Sequence, residues 1–87
     1  VKLRCQELAE LLIRKRHDYG RANIDKFGKL GLAGRLNDKA ERLANLVMDD
    51  KKANNEPLID TFWDFAGYGI IGVQIEDGTW NLPWEDK

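Results

Sequence analysis

Apolar residues recur at helical spacing in three stretches of the chain, and no stretch alternates with the period of two that marks a strand. In the first, over about residues 2–19, Val1, Cys5, Leu8 and Leu12 form a stripe that Leu11 and Ile13 widen. Cys5 lies on that stripe and is expected in the core. Arg14, Lys15, Arg16 and His17 crowd the last turn, where cations suit the negative helix end. Gly20 supplies a left-handed stop. A loop is expected from residue 21 to about 30. Gly28, Gly31 and Gly34 fall every three residues there, without the Gly-Lys-Ser/Thr ending of a phosphate loop.

The second helix is expected over about residues 32–48, with Leu36, Ala40, Leu43 and Val47 as its apolar stripe. A polar connector follows. The third helix is expected to start near Asn55, a capping residue, with Pro57 in its first turn, and to reach about residue 74. It is apolar almost all round, from Leu58 and Ile59 through Phe62, Trp63 and Phe65 to Ile70, Ile71 and Val73. Such a helix is buried on most sides. Two neighbours do not cover it, so a second subunit is expected. Gly67, Gly69 and Gly72 each weaken this helix by ~1 kcal/mol relative to alanine, and close helix packing is a reason to keep them. The remainder reads as an extended arm in which Trp80, Leu82 and Trp84 alternate and dock on their own or a neighbouring subunit. The expected organisation is a helical domain over residues 1–75 and a C-terminal arm over 76–87.

At 87 residues the chain makes one domain with a thin core. The fold class is all-α: a three-helix unit completed by oligomerisation, as a dimer or higher. One cysteine makes no internal disulfide, no apolar run is long enough for a membrane span, and no signal segment opens the chain. A cytoplasmic setting is expected. Val1 is not a start methionine, so further residues are expected before it.

The net charge of −1 hides an asymmetry. Residues 1–42 hold eleven Lys/Arg against six Asp/Glu, a net +5, and residues 43–87 hold three against nine, a net −6. This favours an internal meeting of two segments, or a site that binds anion and metal together. It does not favour nucleic acid, which calls for a basic domain. The cluster Arg14, Lys15, Arg16 and Arg21 is expected mainly as a solvated end. The lone His17 is expected to be structural, because nothing around it has zinc-ligand spacing.

The informative residues are Asp60 and Asp64, one turn apart on one face of the third helix, with Tyr68 a turn further. A buried carboxylate needs a cation. Glu56 and Asp60 suit the positive helix start, but Asp64 lies deeper, between Trp63 and Phe65. Its cation is either Arg35 or Arg42 from the second helix, or a metal. On that helix Asp38, Arg42 and Asn45 share a polar stripe. Asp38 and Arg42 make an ordinary i,i+4 pair on a solvated face, or the stripe faces Asp60 and Asp64. In the second case the acids would hold Mg²⁺, with Lys39 and Arg42 on phosphate oxygens.

Five stretches carry a family resemblance: His17-Asp18-Tyr19-Gly20, Phe27-Gly28-Lys29-Leu30-Gly31, Arg35-Leu36-Asn37-Asp38-Lys39, Arg42-Leu43 and the run from Asp60 to Tyr68. Together they resemble the nucleotide-modification-associated domain family of phages and prophages, over about residues 18–71. That family is similar to the all-α nucleotide pyrophosphatases, MazG and the dimeric dUTPases, which are helical bundles. The resemblance implies a MazG-like bundle and Mg²⁺-dependent cleavage of nucleoside triphosphates to monophosphate and pyrophosphate. It also implies metal ligands Asp38, Glu41, Asp60 and Asp64, phosphate contacts from Lys39 and Arg42, and Asn45 and Tyr68 near the nucleotide. One departure is visible. The related enzymes place an acid three residues before the last one, where this chain has Thr61, and Asp60 stands about 100° away around the helix. Two other readings accompany this one: a module that sequesters a nucleotide without cleaving it, and an interaction protein whose acids only pair with Arg35 and Arg42.

Overall fold

The computed structural model describes residues 1–49 and 58–83. They form helices α1 (Lys2–Tyr19), α2 (Ala22–Asp49) and α3 (Leu58–Asp77), then a single 3₁₀ turn at Thr79–Asn81. No strand occurs among them. The all-α expectation holds. No helix among the described residues is long and apolar enough to cross a membrane.

Helix α1 ends where its sequence says it should. Gly20 has φ 71°, its amide donates to the Arg16 carbonyl, and Arg16 and His17 occupy the last turn. The expected loop after it is a helix instead. Residues 22–27 are already helical, with Asp25 complementing the positive end in the first turn. Only Gly28 breaks the run, at φ 59° and ψ −150°, a conformation open to glycine alone. The kink also explains Gly31, where an added Cβ would collide with the Phe27 Cβ. The glycine spacing therefore encodes one sharp bend and the room to make it.

Helix α3 is the centre of the fold. Both α1 and α2 pack on it rather than on each other, and the 3₁₀ turn packs on it as well. Two of its glycines admit leucines. Gly67 lies under Leu12, 3.0 Å from an ideal Cβ position, and Gly72 lies under Leu32 at 3.3 Å. Thr61 is fully buried on the same side. An added Cβ at Gly69 meets nothing within 4 Å among the described residues. Leu32 and Trp80 are the buried large apolar residues among those described, so the core is thin, as the length implied.

Three expectations change. Cys5 is exposed, because the first turn of α1 reaches past its neighbours and leaves Val1 and Leu3 in solvent as well. The third helix runs on to Asp77. Its expected start at Asn55 and Pro57 falls outside the described residues, as does Trp84. The tail is no extended arm up to Pro83. Gly78, at φ 86°, reverses the chain, and Asp77 Oδ1 accepts from the Thr79 amide (2.9 Å) and hydroxyl (2.6 Å). These two bonds hold the Asp77 carboxyl below the usual carboxylate range. The turn swings Trp80 back onto its own chain.

Candidate functional site

Because α1 and α2 lean on α3 without meeting, a cleft opens between them, with α3 as its floor. It holds a cavity of about 310 Å³, at the lower end of the ~300–1,000 Å³ range of small-molecule sites. Lys15 and Arg16 from α1, Arg35 from α2, and Trp63, Asp64 and Tyr68 from α3 line it, with Asn23 and Gln74 adding amides.

One end is closed by Trp80. Its indole lies under two guanidiniums, Arg16 at 4.5 Å and Arg21 at 5.5 Å from the ring centre. Both arginines donate to the Trp80 carbonyl, at 3.3 and 3.2 Å. The indole N–H donates to Asp25 Oδ1 at 2.8 Å. Arg21 also grips Asp25 through two bonds (2.6 and 3.3 Å) and reaches Asn81 at 2.9 Å. The Arg21 and Trp80 bonds favour the Asp25 carboxylate and lower its pKa. The basic end of α1, expected mainly in solvent, thus lines the cleft through Lys15 and Arg16, while Arg21 works in this latch.

Asp64 reaches the cleft between two ammoniums. Lys39 Nζ lies 3.0 Å from one carboxylate oxygen and Lys15 Nζ 3.4 Å from the other. The acid does find cations from its neighbours, and those seen among the described residues are lysines. Arg35 instead donates to Asn23 Oδ1 at 2.6 Å and stands 5.8 Å from the Tyr68 ring centre. Among the described residues no ion pair joins Arg35 to a carboxylate.

The sequence-derived site residues thus divide. Asp64 and Tyr68 line the cleft, and Lys39 touches it through Asp64. Asp38, Glu41, Arg42 and Asn45 are exposed on α2, and Asp60 is exposed in the first turn of α3; none of these lines the cleft. Among the described residues no three His, Cys, Asp or Glu side chains lie close enough to hold a metal ion. The Lys15 and Lys39 ammoniums already on the Asp64 carboxylate repel a further cation there. This arrangement does not fit a magnesium centre built from Asp38, Glu41, Asp60 and Asp64. His17 is exposed, 3.5 Å from Asp18 and away from the cleft. Residues that the sequence did not single out, Asn23, Gln74 and Trp63, enter the site through tertiary packing and carry no local signal. Lys15, Arg16 and Arg35 did carry one, in the basic first half of the chain.

Comparisons of the chain with protein families, with curated proteins and with solved structures each return no match. The family resemblance therefore rests on its quoted residues alone.

Proposed function

We propose that the chain is a nucleotide-binding protein that takes a small phosphorylated nucleoside into the α1–α2–α3 cleft. The observation that carries this reading is the Arg35 guanidinium, oriented by Asn23 and backed by Tyr68, with no carboxylate partner among the described residues. Arginine's planar fork suits phosphate oxygens. Trp63 and Tyr68 offer aromatic faces for a base, and Asn23 and Gln74 offer donors and acceptors to its edges. The cavity volume suits one mononucleotide rather than a polymer. A cytoplasmic setting agrees with this ligand and with a free thiol at Cys5.

Binding happens through the chain's own residues. A phosphate approaching Arg35 also competes with Asp64 for Lys15 and Lys39. The carboxylate then acts as an internal stand-in for the anion, holding the two ammoniums in place until the ligand arrives. This exchange makes the site selective for dianionic phosphates over weaker anions.

Calorimetric titration with a panel of ribo- and deoxyribonucleoside mono-, di- and triphosphates tests the proposal. Binding is expected at micromolar affinity, weakened at least tenfold by Arg35→Ala, as expected for loss of a charge-assisted pair worth ~1.5–3 kcal/mol. Absence of binding across the panel refutes it. The same panel with Mg²⁺ and a pyrophosphate assay separates sequestration from hydrolysis. Turnover abolished by Asp64→Asn would move the protein to the pyrophosphohydrolase class implied by the resemblance.

A further inference from the structure

The Arg35 guanidinium donates to the Asn23 amide oxygen at 2.6 Å. A straight helix forbids that contact. Twelve residues of α-helix would put the two positions ~18 Å apart along the axis and ~120° apart around it, beyond the reach of both side chains together. The contact exists because Gly28 stands between them at φ 59° and ψ −150° and turns the short segment 22–27 away from the axis of the rest of α2. Asn23, Arg35 and Tyr68 then line the same cleft.

The short segment is pinned a second time. Asp25 accepts from the Trp80 indole at 2.8 Å and from Arg21 at 2.6 and 3.3 Å. Trp80 is buried, and its turn packs on α3. The segment that carries Asn23 is therefore fixed against the floor of the cleft, and the Asn23 bond fixes Arg35 in turn.

The two acceptors on the segment differ in charge. Asp25 is a carboxylate and pairs with Arg21. Asn23 has nearly the same shape and no charge. An amide oxygen aims a guanidinium as a carboxylate does, but it leaves the positive charge uncancelled. A carboxylate at position 23 would form a salt bridge with Arg35 and would itself set a negative charge in the cleft wall.

We infer that Asn23 and Gly28 are positioning residues of the anion site: the bend at Gly28 carries an uncharged acceptor to Arg35, which aims the guanidinium without neutralising it and sets a preference for the more highly charged phosphates. This rests on the reading of the cleft as a phosphate site.

Calorimetry with inorganic phosphate and with pyrophosphate tests it. Asn23→Asp is expected to weaken pyrophosphate roughly tenfold or more and inorganic phosphate by less, because an added negative charge repels a ligand in proportion to the ligand's own charge. Its melting temperature is expected to hold or rise, since the variant gains an ion pair. Asn23→Ala keeps the Arg35 charge and loses only the aim, so both anions are expected to weaken alike, and by less than pyrophosphate does in Asn23→Asp. Gly28→Ala, at a backbone conformation that alanine rarely adopts, is expected to move the segment and weaken pyrophosphate with the helical circular dichroism retained. Where that variant does not fold, the two Asn23 variants decide. An Asn23→Asp chain that binds pyrophosphate as the wild type does overturns the inference, and so does a loss equal for both anions. A wild-type chain that binds neither anion, or binding untouched by Arg35→Ala, overturns the phosphate reading of the cleft itself.

Discussion

The two faces of α3 are built from the same kinds of residue to different ends. The inner face has Thr61, Gly67 and Gly72, and each is small because a neighbouring helix of the same chain stands against it. The outer face has Ala66 and Gly69, equally small and exposed, and among the described residues an added Cβ at Gly69 meets nothing. The inner face also carries Asp64 and Tyr68, which open into the cleft, while the outer face between Ile59 and Val73 is free of charge. One helix thus divides its circumference between packing and the cleft on one side and an exposed apolar face on the other. Hydrophobicity alone does not distinguish the two. Tertiary contact does.

The strongest way to break the contrast is to compare truncations on the two sides. Trp80→Ala removes the buried indole that closes the inner side, and is expected to cost ~3–5 kcal/mol. That is a large share of the ~4–13 kcal/mol available to a chain of this length. Val73→Ala on the outer face is expected to change monomer stability by no more than ~0.5 kcal/mol. Urea denaturation in dilute solution measures both.

A smaller effect comes from adding volume. Gly67→Leu is expected to destabilise by ~1–3 kcal/mol, because Leu12 already fills that space. Gly69→Ala in the monomer is expected to stabilise by up to ~1 kcal/mol, because helix propensity improves and nothing collides. Opposite signs in the same denaturation experiment support the division of faces, and equal signs break it.

Smaller still in stability is Asp64→Asn. Its ion pairs with Lys15 and Lys39 are partly solvated, so the expected change is ~0–1 kcal/mol. The ammoniums it releases are expected to tighten pyrophosphate binding severalfold, read by calorimetry.

The smallest effect concerns pH. The Asp25 carboxyl titrates below its unfolded value because Arg21 and Trp80 bond its ionised form. Its contribution to stability is therefore present above the unfolded pKa of ~3.9 and is lost as pH falls through the lower folded value. Melting temperatures followed from pH 6 to pH 2 are expected to drop in that acid range, with a shallower drop in Asp25→Asn.

Much of this was legible in the residues. The span of α1, its glycine stop, the all-α class and the surplus apolar surface of α3 follow from spacing along the chain, and spacing is a local property. Asp64's need for a cation was equally plain, since a carboxylate among aromatics does not stay unpaired. Which cation it met was not. Arg35 and Lys39 are a turn apart on α2, and only the rotation of α2 against α3 assigns Lys39 to Asp64 and Arg35 to the cleft. Nor was the short helical segment before Gly28 visible, because closely spaced glycines also mark a loop until one of them is seen to carry the whole bend.

The sequence by itself determined that the chain forms three helices, that their common core would be thin, and that the first half of the chain would bring positive charge. Local periodicity and charge order suffice for that. Only the tertiary structure decided that α1 and α2 would stand apart on α3, that Trp80 would fold back between Arg16 and Arg21, and that the cleft would gather Lys15, Arg35 and Tyr68 but not Asp38, Glu41 or Asp60. Those outcomes depend on the relative rotation and tilt of helices. These are fixed by contacts such as Leu12 on Gly67 and Leu32 on Gly72, between residues far apart in the chain.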